Sequence, residues 1–165
     1  MGMNGKPSEE NASPARVVLL CGISGSGKTH YARTLEAQGY RRLSLDRLVW
    51  DRYGPLPDGL PLSGRREIFR KAAAAMAEEL GRMLDSDPEL RIVVDAPLCK
   101  RAGRDRLRAV CRDRGVTSGL VYLSAPPEEL RRRLAARTGS GPDDQRVPES
   151  DLAAFLRDFE PPEEE

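Results

Sequence analysis

An α/β architecture, with a short parallel sheet, helices on both faces and a small helical lid, is what this sequence predicts. Three observations carry the expectation. Val17 to Leu20 is an unbroken apolar run, as a strand covered on both faces requires. A glycine-rich turn follows it directly and opens into helix-forming residues. Short apolar runs and helical segments then alternate along the chain, the pattern of parallel strands joined by crossover helices.

Residues 1–14 mix Gly, Asn, Ser, Pro and Glu without periodicity and are expected to be a flexible tail, leaving 15–165 as a single domain. The first helix is expected from about Lys28 to Gln38, with Gly39 as its stop. Arg41 to Leu45 reads as a second strand with Asp46 at its carboxyl end, and Gly54, Pro55, Pro57, Gly59 and Pro61 as a loop. Ser63 is placed to cap a long helix to Leu84, whose apolar stripe runs through Ile68, Ala72, Ala75, Met76, Leu80 and Met83. Ile92 to Val94 gives a third strand ending at Asp95. Arg101 to Arg114 gives a helix stopped by Gly115, and Leu120 to Leu123 a fourth strand. Pro126 and Pro127 open a helix ending near Arg137. Gly139 to Pro148 reads as flexible, and Glu149 to Phe159 as a last amphipathic helix using Leu152, Phe155, Leu156 and Phe159. No fifth strand follows, so the sheet is expected to be reduced.

Composition narrows the function. Lys and Arg number 27 against 26 Asp and Glu, a formal charge of +1, which excludes a polybasic nucleic-acid binder while leaving a local basic segment from Lys100 to Arg137. The longest apolar run, Val17 to Cys21, is too short for a bilayer, and the polar start resembles no signal peptide, so a cytoplasmic protein without membrane contact is expected. Cys21, Cys99 and Cys111 form no metal-ligand spacing and read as reduced thiols in or near the core. His30 is the only histidine and reads as helix surface or packing.

Gly22-Ile23-Ser24-Gly25-Ser26-Gly27-Lys28-Thr29 matches G-x-x-x-x-G-K-[ST] in full, between a strand and a helix. Glycines let several backbone N–H groups converge on phosphate oxygens, and the helix opening at Gly27 adds its positive dipole end. Ser24, Gly25 and Ser26 lie within that cradle. Lys28 places an ammonium on the β- and γ-phosphates, and the Thr29 hydroxyl is placed to ligate Mg²⁺. The motif therefore predicts ATP and Mg²⁺ as cofactors in a P-loop NTPase fold of three layers.

The other strand ends bear on the chemistry. Asp95 fits an acid holding Mg²⁺ through water, and Asp46 is the better candidate for accepting a proton from an attacking hydroxyl. Spacing leaves open which of the two is the base, and each also fits a plain helix-cap or turn acid. Arg131, Arg132, Arg133 and Arg137 follow the fourth strand, and Arg133 and Arg137 share a helix face. Arginines there neutralise charge on a transferring phosphoryl group, although such a run is commonly a solvated face.

These segments, Gly22 to Thr29, Leu43-Ser44-Leu45-Asp46, Val94-Asp95 with Arg101 and Arg104, and Arg133-Leu134-x-x-Arg137, resemble the P-loop kinases of the AAA-33 or zeta-toxin-like group. That group takes in chloramphenicol phosphotransferase-like enzymes and the kinase domain of polynucleotide kinases. The resemblance runs over roughly residues 16–165 and implies ATP-dependent phosphorylation of a hydroxyl. It gives Asp46 as base, Lys28 and Thr29 as ligands of ATP and Mg²⁺, and Arg133 as the lid arginine. Polynucleotide kinases carry an arginine three residues after the base, where this chain has Val49, with Trp50 and Tyr53 nearby and Arg47 and Arg52 as the only basic substitutes. Ala96-Pro97-Leu98-Cys99 also replaces an aromatic-rich stretch of many relatives. A small-molecule hydroxyl acceptor is therefore the leading expectation. A polynucleotide 5′-hydroxyl kinase is second, and a nucleotide-dependent ATPase or switch without acceptor is the third reading.

Overall fold

The computed structural model describes residues 15–163, so the expected tail over 1–14 and the last two glutamates lie outside the described residues. Four strands form a parallel sheet in the order β2-β3-β1-β4: β1 Val17–Cys21, β2 Arg41–Ser44, β3 Ile92–Asp95 and β4 Ser118–Tyr122. The helices are α1 Lys28–Glu36, α2 Leu45–Tyr53, α3 Leu62–Ser86, α4 Arg101–Arg112, α5 Pro127–Ala135 and α6 Glu149–Asp158, with a 3₁₀ turn at Pro142–Asp144.

Alternation along the strands explains the layers. Val17, Leu19, Leu43, Ile92 and Val94 point to one face and meet Met76, Leu80 and Leu84 of α3 and Leu107 and Cys111 of α4. Val18, Leu20, Val93 and Val121 point to the other and meet Ala32 and Leu35 of α1. Both faces are buried, which is why the β1 run had to be continuous rather than alternating. A third cluster joins Ile23 of the glycine-rich turn to Leu130 and Leu134 of α5 and Leu152 of α6, seating the lid on that turn. Cys21 and Cys111 are buried thiols, Cys99 is half-buried, and His30 is exposed.

Three local expectations are corrected, and one helix is added. Asp46 does not sit at a strand end: β2 stops at Ser44, whose hydroxyl accepts from Arg47 N at 3.2 Å and caps α2, so Asp46 lies in that helix's first turn. The strand passes into α2 with no intervening loop, a helix not expected from the sequence, and the expected glycine- and proline-rich loop follows from Gly54. Ser63 does not cap α3, which begins one residue earlier behind Pro61. Gly139–Pro148 is structured. The Asp144 carboxylate accepts from the Thr138 amide at 3.0 Å and the Ser140 hydroxyl at 3.0 Å, closing the segment on itself.

Candidate active site

The phosphate-cradle geometry follows from its glycines. Gly27 is the residue before α1 and has φ 103°, a left-handed conformation that side chains rarely adopt. Gly22 has no room for a side chain: a Cβ there would stand 2.4 Å from Leu123 O and 2.5 Å from Ser26 Oγ. The turn is further pinned by Gly22 N to Pro97 O at 3.0 Å and Ser26 N to Ile23 O at 3.0 Å. Ser26 Oγ is buried without a hydrogen-bond partner, and Lys28 is buried with Nζ donating to Ile23 O at 3.1 Å. Ser24 lines the adjoining cavity. A buried hydroxyl with spare capacity, a buried ammonium and a helix N-terminus form a donor set that fits a polyphosphate.

Thr29 and Asp95 converge beside the cradle. Thr29 Oγ1 donates to Asp95 Oδ2 at 3.2 Å, and Arg42 Nη2 stands 2.6 Å from the same carboxylate oxygen. These are hard oxygen donors at a place that already accepts a positive charge, so they fit Mg²⁺. Asp46 is half-buried on the cavity wall, within electrostatic reach of Lys28, Asp95 and Arg137. Burial pushes its carboxyl above the ordinary aspartate value, with Asp95 adding to the rise while Lys28 and Arg137 oppose it. Burial lowers the Lys28 ammonium, opposed by Asp95 and Asp46.

The lid arginines part company. Arg133 donates to Gly25 O at 2.8 Å and to Glu129 Oε1 at 2.9 Å, so it lies over the glycine-rich turn. Arg137 lines the cavity and donates to Gln145 O at 3.1 Å. Arg131 and Arg132 pair outward with Glu149 and Glu129.

Sequence reasoning missed a second ring of residues. Arg42 also holds Asp143 of the 3₁₀ turn at 2.7 Å, and Gln145 Nε2 donates to Asp46 O at 3.1 Å. The lid segment is thus tied at once to Asp95 and to Asp46. The available signal was strand alternation: Arg42 and Ser44 share a face, and Ser44 is in register with Asp95. Leu98, the only non-glycine described residue with positive φ (48°), was missed too. Its carbonyl accepts from Nη1 of the fully buried Arg104 at 2.7 Å.

A cavity of about 540 Å³ opens between the glycine-rich turn, the start of α2, α3, the loop after β3, and α6. Ala96 to Cys99 form part of its wall. Trp50 does not line it and faces a separate cavity of about 300 Å³; Tyr53 is exposed. Arg47 and Arg52 are elsewhere, the first exposed and paired with Asp51 at 3.2 Å and the second over the Tyr53 ring. Val49 is fully buried.

Known proteins share this architecture. A nucleotide-binding protein of Zymomonas mobilis is 28% identical over 135 residues, covering 80% of this chain and 36% of that protein, so the chain spans about a third of its relative's length. A gluconokinase from Sinorhizobium meliloti superposes with a TM-score of 0.58 at 27% identity, over 90% of this chain and 77% of that one. Chaetomium thermophilum Kti12, solved with ADP-AlF3, superposes with a TM-score of 0.64 at 22% identity, over 88% and 81% of the two chains, a likeness of fold alone. The family model named AAA_33, an AAA domain, matches residues 17–162, from the first strand through the last helix, and the chain belongs to that family.

Proposed function

We propose that this chain is an ATP-dependent kinase that transfers the γ-phosphoryl group to a hydroxyl of a small molecule, with Asp46 as general base. The observation that carries the reading is the half-buried Asp46 carboxylate, standing on the wall of a cavity that opens at the phosphate cradle. A base has to reach the acceptor proton, and its pKa serves best when raised toward working pH. The place of Asp46 on the cavity wall and the upward push of burial on its carboxyl support it in that role.

Lys28 and the cradle N–H groups bind and orient the triphosphate, and Arg133 and Arg137 close over it and offset charge on the moving group. Thr29 and Asp95 are the residues that would hold Mg²⁺. Bound there, the ion would supply neutralising positive charge to the triphosphate. In the transfer the acceptor oxygen bonds to the γ-phosphorus as the bond to the β–γ bridging oxygen breaks. ADP keeps that electron pair, and the hydroxyl proton passes to Asp46 and then to solvent. The lid seated by Ile23, Leu130 and Leu152 excludes water, which favours transfer over hydrolysis.

Asp46→Asn tests the assignment. ATP affinity, measured by calorimetry, is expected within about threefold of the parent, because the residue is not part of the cradle, while acceptor-dependent turnover falls on the order of 10²–10⁴-fold. Undiminished turnover in a folded Asp46→Asn protein would assign the base elsewhere.

A further inference from the structure

Arg42 joins two acids that belong to different parts of the site. Its Nε and Nη2 donate to Asp95 Oδ2 at 2.9 and 2.6 Å. Nη2 and Nη1 also donate to Asp143 Oδ1 and Oδ2, at 2.7 and 3.2 Å. One guanidinium thus bears both on the acid that closes β3 and on the 3₁₀ turn of the lid segment. Five N–H donors in one plane serve two carboxylates at once.

The Asp95 carboxylate keeps one oxygen in reserve. Among the described residues, all its side-chain hydrogen bonds fall on Oδ2, the third coming from Thr29 Oγ1 at 3.2 Å. Oδ1 is left for a further ligand, so a divalent cation can join Asp95 without evicting Arg42.

Charge fixes the sign of the consequence. Before a cation arrives, the single positive charge of Arg42 is divided between two carboxylates, and Asp95 repels Asp143. Both acids touch the same nitrogen, at 2.6 and 2.7 Å, and their side chains are only 5% and 25% exposed, so little water screens them. With Asp143 withdrawn, Arg42 and Asp95 already balance. A divalent cation at Asp95 turns that balance into a surplus of positive charge, and the Asp143 carboxylate is then drawn onto Arg42. Were the cation instead to loosen Arg42 from Asp95, the freed N–H groups would turn wholly to Asp143, with the same outcome. Arg33, which is exposed and stands 3.1 Å from Asp143, adds little. Gln145, two residues beyond Asp143, donates to Asp46 O at 3.1 Å, so a segment drawn in by Asp143 also bears on the first turn of α2.

We propose that Arg42 and Asp143 form a cation-sensing clamp. Occupation of Thr29 and Asp95 by a divalent cation tightens residues 139–148 onto the site, and the closed segment in turn raises affinity for the cation. Two events that favour each other do so by the same factor, so the effect is reciprocal. Arg42 and Asp143 are positioning residues that act through Asp95. The clamp rests on the reading of Thr29 and Asp95 as the Mg²⁺ site and is independent of which acceptor is phosphorylated.

The test uses the full chain with saturating AMPPNP, in Mg²⁺ or in EDTA, so that the nucleotide charge is common to both arms. Hydrogen exchange over residues 139–148 is expected to slow about fivefold or more in Mg²⁺. In Asp143→Asn that slowing is expected to vanish, while peptides spanning residues 22–29 stay protected by the nucleotide. Mn²⁺ affinity in the presence of AMPPNP is read by electron paramagnetic resonance. It is expected to weaken about fivefold or more in Asp143→Asn and to recover toward the parent in Asp143→Glu. Thermal melting establishes that each variant is folded. Exchange over 139–148 that is unchanged or faster in Mg²⁺ overturns the proposal. So does a folded Asp143→Asn protein that binds Mn²⁺ like the parent. Thr29→Val and Asp95→Asn separate the two failures. Mn²⁺ affinity lost in both folded variants upholds the cation site even where the clamp fails; affinity retained in both removes the site and the proposal with it.

Discussion

At Asp46 a single carboxylate is asked to be both buried and ionised. Burial raises its pKa, and in the proposed role only the ionised form takes the hydroxyl proton, so activity is expected above the raised pKa and is expected to be lost as pH falls through it. A kcat–pH profile is therefore expected to show an acid limb above the usual aspartate value of about 3.9. A flat profile down to that value would remove Asp46 as base. Arg104 is the structural counterpart. It is fully buried and donates to the Leu98 carbonyl, so Arg104→Met is expected to cost about 1–3 kcal/mol by leaving that carbonyl only the long contact from the Cys21 thiol at 3.5 Å. Urea denaturation reads it, and an unchanged midpoint would contradict it. The cradle residues were legible because each has a chemical reason to be its own type at its own spacing. Leu98 was not, since its backbone conformation depends on an arginine from the next helix.

Strands and helices show where local signals succeed and fail. Strand β1 and the stripe of α3 were readable because burial on both faces or on one stripe leaves a periodicity. Helix α2 was missed because the chain turns from β2 into it at Ser44 without punctuation, while the Gly and Pro residues beyond Tyr53 dominate the composition. The segment from Gly139 to Pro148 has loop composition, yet contacts distant in sequence order it: Arg42 is 101 residues from Asp143, and Asp46 is 99 from Gln145. Since Arg42 also grips Asp95, the lid segment and the site offered to Mg²⁺ share one guanidinium. Asp143→Asn is expected to speed hydrogen exchange over residues 139–148 on the order of tenfold, as loss of a charge-assisted hydrogen bond worth about 1.5 kcal/mol would. Exchange equal to that of the parent would show that the clamp does not hold the segment.

Across the whole molecule the net charge of +1 conceals a local arrangement rather than an even mixture. The basic segment from Lys100 to Arg137 is met by acids of its own and of other elements: Arg101 and Arg108 by Asp105, Arg114 by Asp85, Arg131 by Glu149, and Arg132 and Arg133 by Glu129. Among the described residues no helix is long and apolar enough to cross a membrane. With its arginines so matched, the surface is expected to bind single-stranded DNA weakly, with a shallow dependence on salt. Tight binding with a steep salt slope would instead favour a polynucleotide acceptor. The four-stranded sheet sets the phosphate cradle, Asp46, Asp95 and the cavity beyond the carboxyl ends of its strands, the place where parallel α/β sheets bind ligands. The most direct measurement incubates the chain with ATP, Mg²⁺ and a small-molecule extract and follows phosphate by mass spectrometry, with Asp46→Asn alongside. The account predicts a hydroxyl compound gaining one phosphate with the parent chain and none with the variant. ADP and inorganic phosphate formed at the same rate with or without extract, and equally by Asp46→Asn, would contradict it.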